Sequence, residues 1–155
     1  MAKLSRSWRT FRALTWAQRG QLAQAWLLLP LVALGLRLFG FRRVQALLLR
    51  PAAAAPARED LPAAQAAARI VHSAARWSPL PASCLARSLV LCRLLRRQGL
   101  FADLRIGVAK PNGRFEAHAW VEHLGVVLND GQDVERRFAA FDRAELLVEP
   151  TPWSF

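Results

Sequence analysis

Apolar residues follow three successive rhythms along this 155-residue chain. Over residues 20–36 no charge interrupts them, and only Gln21, Gln24 and Pro30 relieve the run. Thr15-Trp16-Ala17-Gln18, just before it, has the T-x-x-Q form of a capping box. The pattern predicts a helix from there toward Leu38, kinked at Pro30 and ending near Gly40, then a second helical piece over 42–50. Residues 61–77 are alanine-rich and helical, and Ser78-Pro79-Leu80-Pro81 stops them because proline cannot continue a helix. A further helix is expected from Ser83 to Gln98, with Gly99 as its left-handed cap. Leu85, Leu89 and Cys92 give it a buried stripe, and Arg93, Arg96 and Arg97 enrich the end where cations favour the helix dipole. Beyond Gly99 the period falls to two. Residues 104–108 read as a strand, and Pro111-Asn112-Gly113 as a turn. Residues 115–122 read as a second strand. Phe115, Ala117, Ala119 and Val121 lie on one face of it, and Glu116, His118, Trp120 and Glu122 on the other. A turn at residues 123–125 leads to a third strand over 126–130. The tail, 132–155, reads as loop and a short helix, and no internal repeat is visible.

The order implies an α+β fold in which a helix precedes an antiparallel meander. The low-complexity stretch Pro51-Ala-Ala-Ala-Ala-Pro56 reads as part of a linker. The expected organisation is therefore an N-terminal helical extension at 1–50, a linker at 51–60 and a core at 61–155. A chain of this length buries roughly 70% of its unfolded surface, enough for a core without staples. The strictly apolar stretch, 25–36, is shorter than the ~18–20 residues of a membrane span. A signal peptide is disfavoured by the long basic lead-in and by Arg37 directly after the run. The expectation is a hydrophobic helix docked on the domain, with a membrane-lying helix as the second reading.

Net charge is +11, which favours an acidic partner or an anionic surface. The arginines are dispersed over helices without an RNA-binding aromatic signature, so nucleic acid is not the expected partner. Two cysteines, Cys84 and Cys92, are spaced as neither a redox pair nor a zinc knuckle. A disulfide is not expected, and a reducing cytoplasm fits.

The chemistry centres on Cys84. It stands at the first turn of its helix, where unpaired N–H groups favour a thiolate and can bind an oxyanion. Cys92, two turns deeper among leucines, reads as core. A thiol nucleophile needs a base. His72 falls on the alanine-rich helix and His123 in a turn. His118 falls mid-strand between two alanines, open to close approach, and is the candidate base. A three-residue turn His123-Leu124-Gly125 would set Glu122 against Val126 and hence His118 against Asp130. Asp130 could then fix the tautomer of His118. A two-residue turn would instead bring Asn129 to the histidine's face.

The string Ser83-Cys84-Leu85-Ala86-Arg87-Ser88-Leu89, Leu94-Leu95-Arg96-Arg97-Gln98-Gly99, Leu104-Arg105-Ile106-Gly107-Val108 and Ala117-His118-Ala119-Trp120-Val121-Glu122 resembles the leader peptidases of lasso-peptide biosynthesis. These belong to the transglutaminase-like cysteine protease superfamily. The resemblance covers roughly residues 79–131. It implies a papain-like core with Cys84, His118 and Asp130 as catalytic residues, and no metal or other cofactor. It implies removal of the leader from a ribosomal precursor peptide before an ATP-dependent cyclase closes the macrolactam. Residues 1–60 show no winged-helix or strand pattern for leader binding, so a separate leader-recognition protein is expected. Two other readings share these features: an acyltransferase using the same triad, and a non-enzymatic membrane or scaffold protein.

Overall fold

The computed structural model describes residues 15–49 and 58–141. The basic N-terminal stretch, most of the expected linker and the tail from 142 lie outside the described residues. Helix α1, Trp16–Leu48, starts at the expected capping box: Gln18 N–H donates to Thr15 Oγ1 at 3.3 Å, and Thr15 N–H to Gln18 Oε1 at 3.0 Å. Two orphan donors are thereby satisfied reciprocally. The helix continues through Pro30 and breaks at Gly40 (φ 76°, ψ 170°), where two helical pieces meet across a kink, so the expected end near Gly40 and the second piece after it are both present within α1. Helix α2, Leu61–Arg76, is capped by Asp60, which accepts from Ala63 N–H at 3.0 Å. Helix α3, Cys84–Arg97, is capped by Ser83, and Gly99 takes the left-handed conformation (φ 72°) just past its end.

Helix α3 is the centre of the molecule. Ala86, Ser88, Leu89, Val90, Leu91, Cys92, Leu94 and Leu95 are all buried, far more than a single stripe. Helices α1 and α2 cover one side of it and the sheet the other. Arg96 and Arg97 fall in its last turn, as expected, and its arginines have a further use. Arg93 Nη1 donates to Leu48 O at 3.3 Å and Arg96 Nη1 to Leu49 O at 2.7 Å, so cations of α3 close the carbonyl end of α1. Nor is the segment before the linker set apart. Ala25, Leu29, Val32 and Val44 of α1 share one apolar cluster with Ala67, Leu89, Leu91 and Val121.

Strands β1 (Asp103–Ala109), β2 (Glu116–His123), β3 (Val126–Val127) and β4 (Ala139–Ala140) form an antiparallel sheet ordered β3-β2-β1-β4. A 3₁₀ turn, Pro111–Gly113, joins β1 to β2, and a short helix α4, Val134–Arg137, precedes β4. The expected register of the second hairpin is corrected here. Glu122 pairs with Val127 and His123 with Val126, so the loop has two residues, Leu124 and Gly125. Both have positive φ (53° and 74°), as a tight hairpin turn requires. A leucine in that conformation is unfavourable, which is why the sequence does not announce it. His123 consequently ends β2, buried, with Nδ1 2.6 Å from Phe101 O, and is not a turn residue. Strand β4, within the expected loop-and-helix tail, pairs with β1.

Side chains of β2 alternate as the period of two dictates. Val121 joins the main core, whereas Trp120 belongs to a second cluster with Val127, Val134 and Phe138. Gly107 makes this second cluster possible. It pairs with His118, and a Cβ there would come within 2.8 Å of Ala139 O, 3.0 Å of Trp120 and 3.1 Å of Phe138 Cβ. Two of these contacts are to backbone or Cβ atoms, which cannot step aside. Gly107→Ala is therefore expected to destabilise the fold by about 1–3 kcal/mol and to displace β4 from β1. The midpoint of urea unfolding measures the first effect. Unchanged stability would mean that β4 is not held as described.

Candidate active site

His118 and Asp130 are brought together although the register does not set them opposite. His118 Nε2 is hydrogen-bonded to Asp130 Oδ2. The other oxygen, Oδ1, accepts from Gly131 N–H and from Arg137 Nη2, each at 2.6 Å. Arg137 is held in turn by Asp133, its Nε 3.1 Å from Oδ2. Burial alone would raise the Asp130 carboxyl, but the Gly131 N–H, His118 and Arg137 outweigh it and hold the group below the usual carboxylate range. An ionised Asp130 accepts the Nε2 proton of the imidazole, leaving Nδ1 as the atom that can exchange a proton with a reacting group. The ring is also held from its faces, stacked on Phe138 at 5.0 Å and on Trp120 at 6.3 Å. Trp120 is itself fixed by a 2.6 Å bond from Nε1 to Glu122 Oε1, and Glu122 by Arg105 at 3.2 Å.

The path by which Asp130 reaches His118 runs through Asn129. Strand β3 stops at Val127, and Leu128 N–H still reaches Val121 O at 2.9 Å. Next, the side chain of Asn129 replaces the backbone as partner of β2: its Oδ1 accepts from Val121 N–H at 2.8 Å. Its Nδ2 donates to Ser88 Oγ at 2.9 Å, and Ser88 Oγ donates to Ala119 O at 3.0 Å. Asn129 thus turns toward helix α3, and the adjacent Asp130 turns the other way, onto His118. The same node fixes α3 beside the strand. Ser88 lies one turn after Cys84, on the same face of the helix, and its anchor is the residue following His118.

Cys84 is the first residue of α3, half-buried and a free thiol. The Ser83 side chain takes the N–H of Ala86 at 3.2 Å. Among the described residues the N–H groups of Cys84 and Leu85 make no hydrogen bond, which leaves them for an anion at the helix start. Nor does a hydrogen bond join the Cys84 thiol to His118 among the described residues. The structure joins two of the three expected site residues directly and ties the third to them through Ser88. Cys92 is fully buried, and burial pushes its thiol up to about 12. His72 is exposed on α2. No group of His, Cys, Asp and Glu among the described residues could hold a metal ion.

Four contributors escaped the sequence reading: Ser88, Arg137, Phe138 and the anchoring role of Asn129. Ser88 did carry a signal, since a hydroxyl amid leucines on a helix must find a partner when buried. Arg137 and Phe138 carried none, because their place depends on where α4 packs.

A half-buried thiol at a helix start and an imidazole oriented by a carboxylate, on a helix and a strand packed against each other, are the groups with which a cysteine enzyme forms and breaks a thioester. The profile of the Transglutaminase-like superfamily matches residues 25–142, from within α1 to just past β4, and so contains Cys84, His118 and Asp130. No curated protein and no solved structure matches the chain.

Proposed function

The chain belongs to the transglutaminase-like superfamily of cysteine proteases and acyltransferases, and from that premise we propose that it is a cysteine peptidase that removes the leader from a lasso-peptide precursor. The observation that carries the catalytic part is the His118–Asp130 pair, coupled through Ala119 and Ser88 to the helix that begins at Cys84. The substrate class rests on the sequence resemblance over residues 79–131.

In the proposed reaction the Cys84 thiolate attacks the carbonyl of the last leader residue. The N–H groups of Cys84 and Leu85 receive the oxyanion. The imidazolium of His118 gives its Nδ1 proton to the departing amine, which is the new N-terminus of the core peptide. The leader remains as a thioester on Cys84. Water then attacks, His118 takes a proton from it, and the leader leaves with a free carboxylate as the thiol is restored. Asp130 stays ionised and supports the imidazolium. The freed amine is what a separate ATP-dependent cyclase would join to an acidic side chain. Such thiol chemistry fits a reducing cytoplasm.

The test is cleavage of a synthetic precursor followed by mass spectrometry. The chain alone is expected to cut slowly, and a separate leader-recognition protein to raise the rate at least tenfold. Products should be a leader with a free carboxylate and a core with a free amine. If an added primary amine captured the leader in place of water at low millimolar concentration, the chain would be an acyltransferase. If no precursor were cut in the presence of the recognition protein, the leader-peptidase reading would be wrong.

A further inference from the structure

Helix α1 presents to solvent a continuous apolar stripe that the catalytic reading does not use. Trp16, Leu27, Leu31, Leu34 and Leu38 are 48% to 85% exposed and, with Gly20 and Ala23, recur every three or four residues. On a helix this spacing sets them in one line of about 33 Å. No charged residue enters the line. Trp16 heads it, and beside Leu27 the exposed Trp26 donates its indole N–H to the carbonyl of exposed Trp77 at 2.8 Å.

The net positive charge of the chain lies in α1 and the stretches that flank it in sequence. Residues 1–58 contain ten Lys and Arg and no Asp or Glu, so they hold ten of the eleven net positive charges. Arg37 and Arg43 stand exposed near the far end of the stripe. By length and composition α1 could also cross a membrane, with 17% of its most apolar stretch buried in the protein. Its inner face argues for lying flat. Ala25 and Leu29 are fully buried in the core shared with α2 and α3, and a crossing helix would have to abandon it.

We infer that α1 seats the enzyme on an anionic lipid surface, its leucine stripe in the interface and its basic residues among the headgroups. Apolar insertion and attraction to anionic headgroups act together in this mode, and tryptophan prefers that depth.

The full chain should sediment with vesicles of phosphatidylcholine and phosphatidylglycerol (3:1) with at least tenfold higher apparent affinity than with phosphatidylcholine alone. Binding should weaken as salt rises. The double variant Leu31→Glu/Leu34→Glu replaces only exposed side chains. It should lose binding at least tenfold while keeping its circular dichroism and thermal midpoint. In wild type, lipids with brominated chains should quench part of the tryptophan emission, and Trp16→Phe should remove the quenched part. That readout does not depend on the double variant's folding. Failure of wild type to sediment with the anionic vesicles would overturn the inference, as would equal sedimentation of the double variant. So would a lipid-independent dimer that the double variant dissociates, since the stripe would then be a subunit interface. None of these outcomes depends on leader cleavage, which the double variant should retain.

Discussion

Cys84→Ala is expected to fold normally and to lose leader removal by a factor on the order of 10⁴ or more. The size follows from the role: a nucleophile that acts as a unit with its base loses nearly all the catalysis of the unit when removed alone. Folding should survive because Cys84 is half-buried at a helix start capped by Ser83, and alanine is a good helix former. Cys92→Ala should behave in the opposite way. That side chain is fully buried, so its loss should cost roughly 1–3 kcal/mol of stability through the cavity it leaves, with turnover per folded molecule retained. Alkylation separates the two thiols without mutation. Burial pushes Cys92 up to about 12, so a small haloacetamide near neutral pH should modify one cysteine, Cys84, and activity should fall in step. An active Cys84→Ala enzyme would end the assignment.

The second large effect is expected at Asp130. Asp130→Ala removes the acceptor of the His118 Nε2 proton and the anchor of Arg137, and should lower kcat by about 10²–10⁴ with little change in substrate binding. Asp130→Asn should be less impaired if a thiolate–imidazolium pair forms in the resting enzyme, because the base then has less to do in the attack. A pH signature accompanies it. The folded protein holds the Asp130 carboxyl below its ordinary value, so this group contributes stability above the ordinary carboxylate range. That contribution disappears as pH falls through the lowered folded value. The stability difference between wild type and Asp130→Asn should therefore shrink in strong acid.

Asn129→Ala should fail for another reason. On sequence alone Asn129 is dispensable once Asp130 is the third catalytic residue. In the structure it is the acceptor for Val121 N–H and the donor to Ser88. Alanine leaves a buried donor without a partner, at about 1–3 kcal/mol. The variant should melt earlier and lose less activity than Asp130→Ala. If Asn129→Ala kept its melting temperature and lost activity while Asp130→Ala stayed active, Asn129 would be the residue that orients the base.

Much of this was legible in the chain itself, and the reasons are local. The capping box at Thr15, the cap at Ser83, the prolines before it and Gly99 after it fix helix ends by bonds among neighbours. That locality put Cys84 at the first position of its helix before any tertiary contact was known. The period of two likewise placed His118 and Trp120 on one face of a strand. The sequence also held the charge asymmetry of residues 1–58.

What only the tertiary structure decided are the places where a partner far along the chain overrides a local rule. The hairpin turns in two residues because β2 and β3 pair around a leucine of positive φ, against its own preference. That register would have separated His118 from Asp130. They meet because the Asn129 side chain takes over Val121 N–H, ends the ladder and turns the next residue toward the histidine. Ser88 makes the exchange stable from a helix 41 residues away. The burial of α3 on all sides, and the union of α1 with its core, depend on packing between elements that sequence periodicity describes one at a time.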